Sequence, residues 1–262
     1  DGACKICDGE LRERHGSPCL ETTTGEAQPA TLAICALGKC GGRELGFASD
    51  VELMFIFSGN GRTTGPEVIT TAEYYEKLVV AVIGAIHAKR EGIFEIDLQL
   101  RPYGRAGSMA VSLESFRRYF GPGGAAWPYE RQALIKMRPI AGDPALGAEL
   151  LALRDLYVYS GEPYDVAAMR AMRERQLRHL VTPGIMNAKY SPGGLVDIEY
   201  LVQALQINHG RERPELRLEN TAEAIVALGR AGILSAEEAI RLREAHSFVR
   251  RLIDALRMVR VN

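Results

Sequence analysis

The chain has almost no net charge, no long apolar run and a single tryptophan. Its 32 Lys and Arg stand against 33 Asp and Glu, so the formal net charge over 262 residues is −1. There is no global basic field to hold a nucleic-acid backbone and no basic-aromatic surface pattern, so nucleic acid is not an expected partner. No apolar stretch reaches the roughly 20 residues of a membrane-spanning helix, and the polar start "DGACKICDGE" does not resemble a signal peptide. Internal repeats and low-complexity tracts are missing as well. The chain starts at Asp1 rather than Met, as a piece of something longer would. Five cysteines, an odd number, fit a reducing cytoplasm better than a disulfide framework. Cys4, Cys7, His15 and Cys19 form a C-x2-C-x7-H-x3-C pattern that could in principle bind zinc. The spacing matches no common module, and Gly16 and Pro18 interrupt any helix pairing His15 with Cys19, so free thiols are the expectation.

What is present is ordinary for a globular protein: 47% apolar and 25% charged residues. The first half alternates strand and helix signals. "TLAICALG" (31–38) and the apolar run to Phe57 read as strands, and "SGNGRTTGPEV" (58–68) as a mobile loop. A helix capped by Thr70 or Thr71 follows over 70–90, then a strand over 93–102 that stops at Pro102. From Ser112 onward the signals are helical: "LESFRRYF", "YERQALIKMR" (129–138), 143–159 with Asp143 as cap, 165–180, 193–208, 220–231 and 235–258. The expected fold class is α+β: a mixed β-sheet domain with helices over 1–140, with residues 1–30 poorly assigned, then an all-α bundle over 141–262. "MRAMRERQLRH" (169–179) reads as a solvated basic helix face, and Trp127 and Tyr129 as packing residues.

The run "GGRELGFASDVELMFIF" (41–57) carries an oddity, because an apolar strand opens with two acids, Asp50 and Glu52. On a strand, residues i and i+2 project to one face, so the two carboxylates stand side by side. Held together they repel, and a proton or a cation must neutralise them. Mg²⁺ is the natural partner, since it prefers carboxylates together with substrate phosphate oxygens. Asp97, on the later strand, can complete a three-carboxylate site if the two strands are neighbours. Such a site can hold two metals. Gly41 and Gly42 allow a turn approaching a phosphate closely, Ser49 adds a hydroxyl, and Lys39 and Arg101 offer positive charge. Alone, a D-x-E at a strand start is commonly a solvated edge; the order Gly-Gly, Ser-Asp-x-Glu, helix, Asp gives it weight. The same letters recur in "DIEY" (197–200), but there the signal is helical. Asp197 and Glu199 would diverge, with Leu195, Ile198, Leu201 and Leu205 as the apolar stripe.

That order resembles the nucleotidyltransferase superfamily that includes DNA polymerase β. With "ALGKCGGRELGFASDVELMF" (36–55), "IDLQLRPYGRAG" (96–107), "ERQALIKMRPIAGD" (130–143) and "GGLVDIEYLVQALQ" (193–206), the chain is similar to the glutamate–ammonia ligase (glutamine synthetase) adenylyltransferase family. The resemblance runs from about residue 31 to the C-terminus. It implies transfer of AMP from ATP to a tyrosine of glutamine synthetase, in the cytoplasm, with a nitrogen-signalling regulatory protein as a further partner. Family members carry two related halves, one adding AMP and one removing it by phosphorolysis. "GGLVDIEY" and "LIDALRMVRVN" resemble the adding half and "ALIKMRPIAGD" the removing half, and addition is the favoured reading. A non-catalytic nucleotide-binding regulatory module is the alternative of another class. The resemblance carries the catalytic acids onto Asp50, Glu52 and Asp97 and the glycine turn onto Gly41 and Gly42, with Lys39 and Ser49 flanking. The family usually has Asp where Glu52 stands and a bulky apolar residue where Cys40 stands.

Overall fold

A computed structural model describes residues 2–21, 28–86 and 95–260. In chain order the elements are α1 (Gly2–His15), β1 (Pro18–Leu20), β2 (Gln28–Pro29), β3 (Leu32–Ala36), α2 (Gly38–Gly41), β4 (Val51–Phe57), β5 (Gly61–Thr63), α3 (Thr71–Ala85), β6 (Ile96–Asp97), β7 (Ala110–Ser112), α4 (Leu113–Phe120), α5 (Pro128–Ala133), β8 (Arg138–Gly142), α6 (Pro144–Val158), α7 (Val166–Leu180), α8 (Leu195–His209), α9 (Thr221–Arg230) and α10 (Ala236–Arg260). They form two compact units. The sheet unit comprises residues 1–41, 50–126 and 137–153, and the helical unit comprises 42–49, 127–136 and 154–262. This is the α+β class, a mixed sheet with helices accompanied by a helical part.

In the sheet unit, the main sheet has the order β6-β4-β3-β8, with β7 also paired to β4. β3 and β4 are antiparallel, from Leu32 opposite Phe57 to Ala36 opposite Leu53. β6 and β7 lie parallel to β4 along its other edge, β6 against its first residues and β7 against its last. Strand periodicity places Leu32, Ile34, Ala36, Leu53, Phe55 and Phe57 in one core with Tyr74, Leu78 and Val82 of α3. Complete burial of a side chain such as Phe55 is worth roughly 1.5–3 kcal/mol. Thr70 and Glu73 form a capping box that fixes the start of α3. Asp143 caps α6 by accepting the Leu146 amide at 2.7 Å.

Three expectations are corrected here. The segment 129–138 is not one helix: α5 ends at Ala133, a 3-10 turn covers Leu134–Lys136, and Arg138 opens β8. The strand accommodates Pro139 at the sheet edge, beside a register irregularity in its pairing with β3, the setting in which a strand proline is tolerated. The expected loop 58–68 contains β5, which pairs with β1. The strand expected over 93–102 is formed at Ile96–Asp97, with residues up to 94 outside the described part. Beyond it the chain curls, because the Asp97 carboxylate accepts the Gln99 amide at 2.7 Å, a local competitor to the ladder.

In the helical unit, Ile198, Val202, Leu216, Ala224, Ile225 and Leu228 form a core. Leu201, expected in the apolar stripe of α8, is 47% exposed, and Val202 and Gln206 face inward instead. The segment 169–179 is not wholly a solvated face: Arg173 is buried and its Nε donates to Asp197 at 2.6 Å. Trp127 is not a packing residue either. It is 60% exposed and stacks on Tyr129 with ring centroids 6.2 Å apart. Among the described residues, no helix is long and apolar enough to cross a membrane.

Candidate active site

β4 carries the first two acids and β6 the third. Asp50 is exposed and immediately precedes β4, and Glu52 shares the strand face of Met54 and Ile56, opposite that of Phe55. The parallel register sets Glu52 directly beside Asp97, and the Val51 amide donates to the Glu95 carbonyl at 2.8 Å. The strand neighbourhood that the three-acid reading required is therefore present.

Glu52 is the most constrained of the three. Its carboxylate tucks against Gly38 at the start of α2, where an added Cβ would meet Glu52 Oε1 at 2.6 Å. Gly38 also has φ +48, so both the backbone and the space require glycine there. Oε2 of Glu52 is sealed from solvent and makes no hydrogen bond among the described residues. Burial pushes the carboxyl above the ordinary range, and Asp50 and Asp97 add repulsion. Its own backbone amide and Lys39 pull the other way. An orphaned buried oxygen beside two further acids is what a hard cation would satisfy. The donor set, all carboxylate oxygen, fits Mg²⁺ in kind. As arranged, no three His, Cys, Asp or Glu side chains among the described residues converge to hold a metal; one Asp97 oxygen accepts the Gln99 amide.

The turn after β3 is held from β8. Arg138 donates to the Gly41 carbonyl at 3.0 Å and to the Cys40 carbonyl at 3.1 Å, placing a cation at the C-terminal end of α2. The Gly41 amide donates to Leu37 at 2.8 Å, and the Leu37 amide to the Glu52 carbonyl at 2.9 Å. Burial pushes the Cys40 thiol up, with Arg138 opposing and Glu52 adding to the shift. Arg101 is 8% exposed, and its guanidinium donates to the Leu98 and Gly107 carbonyls, building the turn after Asp97. Cys4, Cys7, His15 and Cys19 do not assemble as zinc ligands. The thiols are free, and His15 Nδ1 lies 2.9 Å from the Glu67 carbonyl.

Gly42 and Ser49 fold with the helical unit. The Asn220 amide group donates to the Gly42 carbonyl at 2.8 Å, and the buried Ser49 hydroxyl accepts the Gly46 amide at 3.0 Å. The same unit contains an acid–base triad that sequence reading did not assign. Lys136, buried, bonds Glu44 at 2.6 Å and Glu199 at 3.1 Å, and the other Glu44 oxygen accepts the Thr221 amide at 2.6 Å. Burial pushes Glu44 up, but Lys136 and Thr221 outweigh it and hold it below the usual carboxylate range. Burial likewise opposes the charge on Lys136, and Glu199 and Glu44 hold its pKa above the ordinary value. Glu199 and Asp197 thus diverge as helical spacing dictates, one to Lys136 and one to Arg173.

A family profile described as Glutamate-ammonia ligase adenylyltransferase matches residues 2–153, and one described as GlnD PII-uridylyltransferase matches residues 167–262. The chain is similar to a "Bifunctional glutamine synthetase adenylyltransferase/adenylyl-removing enzyme" of Stenotrophomonas maltophilia (strain K279a), 34% identical over 98% of this chain and 28% of the relative. Relatives of the same name from Aromatoleum aromaticum (35% identical over 92% of this chain and 26% of the relative) and Mycobacterium bovis (34%, 100% and 24%) match comparably. The chain spans about a quarter of the length of these curated relatives. With the profile match covering more than half of it, the chain belongs to the glutamate–ammonia ligase adenylyltransferase family.

Proposed function

We propose that the chain transfers AMP from ATP to a tyrosine hydroxyl of glutamine synthetase, with pyrophosphate leaving, in the cytoplasm. The observation that carries this reading is the register of Glu52 beside Asp97, with Asp50 two residues before Glu52 and Oε2 of Glu52 orphaned. Asp50, Glu52 and Asp97 would hold Mg²⁺, which supplies charge neutralisation for the polyphosphate when bound. Asp97 also stands to accept the tyrosine proton. The Gly41–Gly42 turn, Lys39 and Ser49 serve the nucleotide. Arg101 belongs to the nucleotide-binding set in this reading, acting through the turn that it braces. Along the sequence the nucleotidyltransferase domain is taken as 1–140 and the helical domain as 141–262, although 42–49 and 127–136 fold with the helical unit and 141–153 with the sheet unit; a nitrogen-signalling regulatory protein is a further proposed partner.

The names of the relatives carry two activities, and the chain spans a quarter of their length. This supports a second reading, phosphorolytic removal of AMP from the same tyrosine through the same three acids. Asp50→Ala should abolish incorporation of labelled AMP into glutamine synthetase, and unchanged labelling would sink the assignment. ADP release from adenylylated glutamine synthetase on addition of phosphate, without competent transfer, would select the removing activity.

A further inference from the structure

The loop 42–49 lies in the chain between the glycine turn and the first acid, and it folds with the helical unit. Two of its non-glycine residues, Arg43 at φ +57 and Ala48 at φ +52, adopt the left-handed conformation that L-residues resist. Strain of this kind persists only where the surroundings over-determine it, and it gathers at functional sites. The surroundings here are largely one helix. Arg250, Asp254 and Arg257 are spaced i, i+4, i+7 and so share one face of α10. Arg250 donates to the Glu44 carbonyl, and Arg257 donates to the Phe47 carbonyl at 3.2 Å and to the Ser49 hydroxyl at 3.3 Å. Asp254 is so close that a Cβ on Gly46 would lie 2.1 Å from its Oδ1. The Glu44 side chain anchors the loop to Lys136 and the Thr221 amide from within.

We propose that Arg250 and Arg257 of α10 are positioning residues for nucleotide binding: they hold loop 42–49 in its strained form and thereby place Gly42 and Ser49. This rests on the reading of the chain as a nucleotidyltransferase. Arg257 reaches both acceptors through one guanidinium nitrogen, Nη1, and the planar, pre-organised guanidinium loses less freedom per bond than a lysine ammonium. On this inference α10 has a role within its own unit, holding Gly42 and Ser49 in place.

The test uses the full chain in three further forms: Arg257→Ala, Arg257→Lys and, as a control, Arg251→Ala, an exposed position on the same helix. Two quantities are read: hydrogen exchange of the 42–49 amides, and KM and kcat for ATP in labelled-AMP transfer to glutamine synthetase. Arg257→Ala should speed exchange in the loop and raise KM for ATP roughly tenfold with a smaller change in kcat. Arg257→Lys should recover part of both, and Arg251→Ala should change neither. A competent wild type whose Arg257→Ala form has a freed loop but unaltered KM overturns this inference alone. A wild type that transfers no AMP overturns the functional reading, and this inference with it.

Discussion

Each unit gathers carboxylates, and the two resolve the charge in opposite ways. In the helical unit, Glu44 and Glu199 enclose Lys136, and the remaining Glu44 oxygen has a backbone amide. In the sheet unit, Glu52 stands with Asp50 and Asp97, with one oxygen unbonded among the described residues and a pKa raised by burial. A buried acid bonded to its own cation is satisfied; one whose burial raises its pKa beside two further acids is a candidate for a ligand. The contrast gives Glu44 a structural partner set and leaves Glu52 with the chemistry proposed for it above, although both lie in the same short stretch of sequence.

Removing the built-in cation should have the largest effect on stability. Lys136→Met leaves two carboxylates facing each other, and loss of one partner from a buried pair costs about 3–5 kcal/mol. Denaturant melts should show it in full near neutral pH. The folded pKa of Glu44 is depressed, so its contribution is present above the unfolded value and is lost as pH falls through the folded one. That of Lys136 is raised, so its contribution is complete below the unfolded value and is lost as pH climbs through the folded one. The deficit of Lys136→Met against wild type should therefore shrink at both acid and alkaline extremes. A deficit independent of pH would remove the electrostatic basis of the comparison.

A smaller effect is expected where the sheet unit receives its acid. Gly38→Ala forces a Cβ onto the Glu52 carboxylate and a side chain onto a positive φ. Strain of that kind costs of order 1–3 kcal/mol. AMP transfer should fall by more than stability does, because the displaced group is Glu52. Equal transfer by a folded Gly38→Ala variant would separate Gly38 from the site.

Local signals made much of this legible. The caps at Thr70 and Asp143, the apolar run of β4 and the period-two placement of its acids were all readable from neighbours in sequence. So was the divergence of Asp197 and Glu199, which needs only helical geometry. The Glu44–Lys136 pair was not, because its partners are 92 residues apart and neither neighbourhood marks them as buried. Arg138 was hidden for a related reason. Its segment has good helix formers, and the decision to join the sheet edge is made by pairing with β3, a tertiary effect. Gly38 announced itself only as a glycine after a strand, and the need for it appears once Glu52 is seen against it.

The central claim is that the three acids of the sheet unit await a cation. Glu52→Gln tests it most directly, by thermal melts with and without Mg²⁺ at neutral pH. The folded pKa of Glu52 is raised, so its ionised form opposes folding once pH exceeds the unfolded value. Without metal, Glu52→Gln should be the more stable form by about 1 kcal/mol, some 2–4 °C in Tm. Adding Mg²⁺ should raise the Tm of wild type and leave that of Glu52→Gln nearly where it was. A wild type indifferent to Mg²⁺, or a Glu52→Gln variant that responds equally, would contradict the account.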